Sequence, residues 1–472
     1  MSKIHFGTGG WRAIIGDDFT KANVQRMSYA LAQKMKAEQV EGRGFCIGFD
    51  RRFLSRQSAM WAAEVMAAEG IVCSIITREA PTPLIMYTVK NYGMEYGMAV
   101  TASHNPYTYN GIKVFIKGGR DADEVTTGEI ERYIDAIDLE EIPALDYQEG
   151  VRAGMIREIN PFNEYIDSII STINMDAIRA RNLHVVLDPM YGVSKTSLST
   201  ILLTARCDVD VIHERHDTLF GGRMPAPNVN TLSALRTFVV ENACDIGLAT
   251  DGDADRIGVI DDQANFLHPN EILVLLYYYL VRYKGWRGPA VRNIATTHLL
   301  DKVAESYGEK CYEVPVGFKH ISAKMIETNA VIGGESSGGL TVRGHIQGKD
   351  GIYAAALLVE MLAVTGRKLS EIYQEITDQF GTFEMAERDY RFTQQRKEQI
   401  NDLLMVRREL PAFSAEVDHV SYLDGCKVYF KSGGWIICRF SGTEPLIRIF
   451  CEMGTLEEAN RIADEMKAFL AL

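Results

Sequence analysis

A chain of 472 residues with 46% hydrophobic composition exceeds what one hydrophobic core serves, so roughly three to four domains are expected. A formal net charge of -13, with no long Lys/Arg block to offset it, argues against a nucleic-acid polyanion or an anionic membrane as the main partner. An anionic small substrate would need a local basic pocket. The opening stretch from Met1 to Gly7 has no apolar h-region, and the longest apolar run, Ile272 to Val281, is too short to span a bilayer.

In chain order, Thr20 is placed to cap a helix whose apolar residues Val24, Met27, Leu31 and Met35 recur at helical spacing. Ser55 to Gly70 carries both a cap and a stop signal. Compact apolar runs flank these helices: Phe45 to Phe49, Ile71 to Ile76 and Gly97 to Thr101 read as strands. Strand and helix therefore alternate as in a doubly wound α/β domain. The rhythm returns twice. Leu183 to Leu187, Ile246 to Ala249 and Ile257 to Ile260 form a second block, and Ile294, Glu313 to Val316 and Val331 to Ile332 mark a third. Ile272 to Val281 reads as a buried core helix. Past about residue 371 the texture becomes polar and helical. Strands at Lys427 to Phe430, Trp435 to Phe440 and Leu446 to Cys451 follow, then a helix.

The expectation is three successive α/β domains followed by a smaller α+β domain, arranged around a central cleft. Rhythm alone sets the boundaries at roughly 1–150, 151–258, 259–370 and 371–472. Eight cysteines are scattered with no C-x-x-C pair, which points to small core hydrophobes in a reducing, cytoplasmic setting rather than to a zinc site or a disulfide framework.

Four segments carry chemistry. The first runs Thr101-Ala102-Ser103-His104-Asn105-Pro106, followed by Asn110-Gly111-Ile112-Lys113. An apolar strand delivers Ser103 into a polar turn that Pro106 stiffens, which suits an exposed hydroxyl nucleophile. Serine requires a base, and His104 and Lys113 are the nearby candidates. The second is Asp251-Gly252-Asp253-Ala254-Asp255-Arg256. Carboxylates at alternate positions make a hard oxygen site suited to Mg²⁺, with open positions for a phosphate oxygen. An EF-hand starting at Asp251 would need Gly and Glu where Arg256 and Asp262 stand.

The third segment, Gly333-Gly334-Glu335-Ser336-Ser337-Gly338-Gly339, formally matches G-x-S-x-G. A nucleophile elbow must enter a helix, whereas Leu340 onward is strand-like, so Glu335 and Ser337 read instead as a pair for sugar hydroxyls. The fourth is Arg439-Phe440-Ser441-Gly442-Thr443-Glu444-Pro445, with Arg448 close behind. Two guanidiniums, two hydroxyls and a glycine offering N–H groups make a phosphate cradle without acid/base groups. No nucleotide-binding fingerprint is present.

These four loops, in this order, resemble the α-D-phosphohexomutase superfamily of phosphoglucomutases and phosphomannomutases over the whole chain, and Gly7-Thr8-Gly9-Gly10-Trp11-Arg12 resembles its N-terminal segment. The resemblance implies a phosphoserine at Ser103 whose phosphate oxygen, with Asp251, Asp253 and Asp255, holds Mg²⁺. It also implies a hexose 1,6-bisphosphate intermediate that reorients and returns its other phosphate to the serine, with glucose 1,6-bisphosphate as activator. By the same resemblance Lys113 is the candidate for proton transfer, Arg12 and Arg256 stabilise the transferring phosphate, and His104 is a further candidate. Arg439, Ser441, Gly442, Thr443 and Arg448 match the family's distal phosphate loop.

Glu335 and Ser337 match the pair contacting the sugar's 3- and 4-hydroxyls. Some relatives, including many dual mannose/glucose and glucosamine enzymes, place His two residues after that serine, where Gly339 stands here, and Pro315-Val316-Gly317-Phe318-Lys319 resembles the third-domain loop typical of glucose enzymes. Gly317 and Lys319 are accordingly expected at the substrate. A phosphoglucomutase is favoured. The alternatives are a phosphomannomutase or dual-specificity mutase, a hexose-bisphosphate synthase and, outside the family, a metal-dependent phosphatase using Asp253 and Asp255. The expected partner is a small sugar phosphate, not nucleic acid or membrane, and no sequence feature fixes an oligomeric state.

Overall fold

The computed structural model describes residues 4–7, 9–138, 141–440 and 446–472. Four sheets follow one another along the chain. In the first, Phe45–Phe49 lies between Tyr96–Val100 and Cys73–Ile76, parallel to both, and Ile156–Ile159 adds in parallel beyond. At the other edge Tyr109–Ile116 pairs antiparallel with Tyr96–Val100 and with Trp11–Ile14. All five residues of Phe45–Phe49 are buried, as expected of a strand covered by helices on both faces.

The second sheet runs Phe266–Leu267, Ile257–Ile260, Ile246–Thr250, His184–Asp188 and Asp208–Val211. The third runs Cys311–Val314, Ala290–Asn293, Ile332–Gly334 and Leu340–Val342. In the fourth, Glu384–Arg391, Leu446–Met453, Trp435–Phe440, Cys426–Phe430 and Val417–Ser421 pair antiparallel throughout, and Leu456–Phe469 packs on it. Three α/β units and a smaller α+β unit are thus the observed fold class. The edge strands Glu384–Arg391 and Val417–Ser421 escape a hydrophobicity reading because charged and polar residues dominate them, as suits exposed edges.

The expected helix caps fare differently. Thr20 accepts from the Asn23 N–H at the start of Lys21–Ala37, and Val24, Met27, Leu31 and Met35 are fully buried beneath it. Ser55 does not cap Ser55–Ala68. Leu54 stands at that position in left-handed backbone, and the Ser55 hydroxyl donates instead to Asp50 at 2.7 Å. Every residue from Ile272 to Val281 is buried within Pro269–Arg282, and Gly351–Thr365, buried over most of its length, packs against it and against the second sheet. No helix among the described residues is long and apolar enough to cross a membrane. Cys46, Cys73, Cys207, Cys244, Cys426, Cys438 and Cys451 are buried, the environment in which a thiol acts as a small hydrophobe.

Candidate active site

Two loops meet at the C-terminal ends of strands from different sheets. From Tyr96–Val100 the chain enters the serine turn, where Ser103 adopts φ 52 and its N–H donates to Thr101 Oγ1 at 2.9 Å. The second loop joins Ile246–Thr250 to its antiparallel neighbour Ile257–Ile260 and carries the three aspartates. Their closest ligand atoms all lie within 4.8 Å of one another. Gly252 permits the approach, since a Cβ there would stand 2.7 Å from the Ser103 carbonyl oxygen.

This contact changes the expected setting of the nucleophile. Ser103 is not exposed but 1% accessible, because the aspartate loop closes over it, and its hydroxyl donates to Asp251 Oδ2 at 2.7 Å. His104 Nδ1 lies 3.3 Å from the same Oγ. The nearby Arg256 charge, then burial, then Arg12 hold the His104 imidazole well below its usual pKa, so the ring is neutral at pH 7.

Lys113, from strand Tyr109–Ile116, reaches Asp253 Oδ2 at 2.6 Å and Asp255 Oδ2 at 2.7 Å. Burial alone would lower its pKa, but the two carboxylates outweigh it and hold the ammonium above its ordinary value. The aspartates differ in turn. Burial and the two neighbouring carboxylates push Asp251 well above the usual range, whereas Lys113, against burial, keeps Asp253 and Asp255 below it. Arg12 Nη1 donates to Asn105 Oδ1 at 2.8 Å, tying that arginine to the serine turn.

Two further partners were not signalled by any sequence motif. Thr82 Oγ1 donates to Asp253 Oδ2 at 2.7 Å, and Lys349 Nζ lies 3.1 Å from Asp255 Oδ2. The other oxygens, Asp253 Oδ1 and Asp255 Oδ1, are buried with no hydrogen-bond partner among the described residues. Orphaned carboxylate oxygens in a convergent trio are the donor set a hard divalent cation takes, so the residues fit Mg²⁺. Arg256 Nε is likewise buried with no hydrogen-bond partner among the described residues, 3.9 Å from Asp251 and 3.8 Å from Asp255.

The glycine-rich segment of the third sheet adjoins this centre. Ile257 N donates to Gly338 O at 3.1 Å, and Arg256 bridges to Gly339. Glu335 accepts from Gly317 N at 3.1 Å and from Asn293 Nδ2 at 3.2 Å, while Ser337 Oγ stands 3.4 Å from its other oxygen. Lys319 crosses to the first unit, pairing with Glu124 at 2.8 Å, and helps line a cavity of about 20 Å³ that also touches Gly7, Gly10 and Lys113.

The distal loop is seen only at its edges, since Ser441, Gly442 and Thr443 lie outside the described residues. Arg439 Nε donates to Asp424 Oδ2 at 2.9 Å, and the same oxygen accepts from Val316 N beside the sugar loop at 2.9 Å. Arg448, next to Arg439 across the sheet, stands 3.7 Å from Asp389. A cavity of about 870 Å³ shares no residue with these loops, and in its lining Asp261, Glu271, Glu371, Glu375 and Asp378 outweigh Arg367, a balance unsuited to a phosphate.

Four family models match the chain in order, described as phosphoglucomutase/phosphomannomutase α/β/α domain I over 3–141, domain II over 163–264, domain III over 268–380 and C-terminal domain over 395–469. The chain belongs to the α-D-phosphohexomutase superfamily. A Thermococcus kodakarensis phosphoglucomutase/phosphomannomutase is 29% identical over 460 residues, covering 97% of this chain and 96% of the relative. A Pyrococcus horikoshii protein provisionally named a phosphoglucosamine mutase is 30% identical, again over 97% and 96%. A Thermus thermophilus crystal structure, provisionally named a phosphomannomutase, superposes with a TM-score of 0.87 at 28% identity, covering all of both chains. This phosphohexomutase is accordingly an intramolecular phosphotransferase of the isomerase class.

Proposed function

We propose that the enzyme interconverts glucose 1-phosphate and glucose 6-phosphate through a phosphoserine at Ser103 and a glucose 1,6-bisphosphate intermediate. The observation that carries this reading is the junction of Ser103 with Asp251 inside a trio that leaves two buried carboxylate oxygens unpaired among the described residues. Asp251, Asp253 and Asp255, with a Ser103 phosphate oxygen, would hold Mg²⁺, which when bound neutralises phosphate charge and orients the transferring group.

The remaining roles belong to the chain. Lys113, kept as an ammonium by its carboxylates, carries the proton exchanged between the sugar hydroxyl and the leaving serine oxygen. Arg12 and Arg256 stabilise the moving phosphoryl group, and neutral His104 stands beside the Ser103 oxygen, whose proton goes to Asp251. Glu335, held in place by Gly317 and Asn293, and Ser337 beside it receive the sugar hydroxyls with Lys319. Arg439 and Arg448, with Ser441, Gly442 and Thr443, bind the phosphate that is not reacting. Positioning and charge account for most of the rate in such transfers.

The glucose preference rests on Gly317-Phe318-Lys319 and on Gly339 two residues after Ser337. A mannose or amino-sugar substrate is the second reading, favoured by the names of the relatives above. A reducing cytoplasm suits the buried thiols. ³¹P NMR with Mg²⁺ and a trace of glucose 1,6-bisphosphate, run in parallel on glucose 1-phosphate and mannose 1-phosphate, separates these outcomes. Faster conversion of the glucose ester supports the proposal. Equal rates indicate a dual mutase, accumulation of bisphosphate indicates a synthase, and release of inorganic phosphate alone indicates a phosphatase.

A further inference from the structure

The serine turn exposes a group of backbone carbonyls to the protein interior, and buried carbonyls require donors. One side chain supplies them. Arg52 Nη2 donates to Ser103 O at 2.7 Å and to Asn105 O at 2.6 Å, while Nη1 donates to Pro106 O at 2.8 Å and to Tyr109 O at 3.0 Å. Its Nε stands 3.3 Å from Asp50 Oδ2, an oxygen that also takes the Thr101 hydroxyl at 2.6 Å. Thr101 in turn accepts the Ser103 N–H. Arg52 is 3% exposed, and its outer face is covered by the Phe220 ring, 4.9 Å away, from the second unit.

We infer that Arg52 is the positioning residue of phosphoryl transfer, its planar guanidinium holding the Ser103 turn in the strained backbone that aims Oγ at the aspartates. The inference rests on the function proposed above. Ser103 is a non-glycine residue at φ 52, a conformation that persists only where its surroundings impose it. Arg52 grips the Ser103 carbonyl and those of three residues after it, while Thr101, held by Asp50, fixes the N–H before it. Through Asn105 the same grip reaches Arg12, whose Nη1 bonds the Asn105 side chain. A lysine has three donors on one nitrogen and cannot span four carbonyls in a plane. Arg52 acts from behind the turn, so its loss should disturb transfer more than substrate binding, which the sugar and distal phosphate loops perform.

The test compares Arg52→Lys and Arg52→Ala with the wild type in glucose 1-phosphate turnover with Mg²⁺. In both variants kcat should fall about a hundredfold, the cost of a displacement near 1 Å, while KM moves less than about threefold. Added guanidinium ion should restore at least about a tenth of wild-type kcat to Arg52→Ala, because it refills the fork, and ethylammonium should not. Arg52→Lys keeps charge and bulk, so it serves should the alanine variant fail to fold. Retention of kcat in Arg52→Lys, or losses with no guanidinium response in a folded Arg52→Ala, would overturn the inference. A wild type that converts nothing sinks the function proposed above, whereas a converting wild type with an unaffected lysine variant sinks this inference alone.

Discussion

The hydroxyl of Ser103 meets the carboxylate of Asp251 at 2.7 Å although 148 residues separate them in the chain. The candidate centre thus draws on loops from two sheets. Replacing Ser103 by Ala should remove the proposed phosphoryl carrier and lower turnover by roughly ten-thousandfold or more. The fold should survive, since a single hydrogen bond is worth about 1 kcal/mol. Measured activity together with the thermal midpoint checks this, and a folded, fully active variant would contradict it.

The three aspartates share one buried space with two oxygens unpaired among the described residues, so a divalent cation should stabilise the fold. Mg²⁺ at about a hundred times its Kd should add about 2.7 kcal/mol, read as an upward thermal shift, and EDTA should abolish both the shift and turnover. Asp253→Asn should lose most of the shift. An unchanged Mg²⁺ response in that variant would remove Asp253 from the metal site.

Glu335 is fixed by Gly317 N and Asn293 before any sugar arrives. Glu335→Gln should therefore leave the loop in place but weaken its hold on sugar hydroxyls. The expected loss in kcat/KM is about 2 kcal/mol, roughly thirtyfold, from one charge-assisted hydrogen bond. Steady-state kinetics on glucose 1-phosphate provide the check, and unaltered kcat/KM would place the sugar elsewhere.

What could be read in advance follows from how local each feature is. The serine turn, the aspartate loop and Glu335 are contiguous motifs, so residue order alone exposes them. Thr82, Lys349 and Asn293 approach the same centre singly, from a helix start, a polar loop and a strand end, and no spacing announces them. Burial of Ser103 was also unreadable, because its cover comes from the second sheet. The buried strands stood out as apolar runs, whereas Glu384–Arg391 did not, being an edge strand in which Glu384, Glu387, Arg388, Asp389 and Arg391 interrupt any apolar run.

Burial pushes the thiols of Cys207, Cys244 and Cys426 up to about 11. Each folded thiol keeps its proton where the unfolded thiol, near pKa 8.5, has begun to lose it. Their stabilising contribution is intact below about pH 8.5 and declines as pH rises toward 11, by at most about 1.4 kcal/mol per pH unit per thiol. Urea unfolding at pH 7.5, 9 and 10 should show this fall, about 7.5 being the reference below titration. The slope should shrink in the Cys207→Ala, Cys244→Ala, Cys426→Ala triple variant. An identical slope would mean other groups cause it.

The phosphoserine is the centre of the account, and a chase of the phosphate label from the enzyme tests it most directly. Enzyme phosphorylated from glucose 1,6-bisphosphate, with peptide mass mapping to locate the phosphate, is freed of ligand and mixed with excess glucose 1-phosphate and Mg²⁺. With a ³²P label on that phosphate, the account predicts the label on Ser103 at the start and its transfer, mole for mole, through the bisphosphate to the 6-position of glucose 6-phosphate, while Ser103 regains unlabelled phosphate from the sugar. Phosphate found on another residue, or released to water as inorganic phosphate, would contradict it.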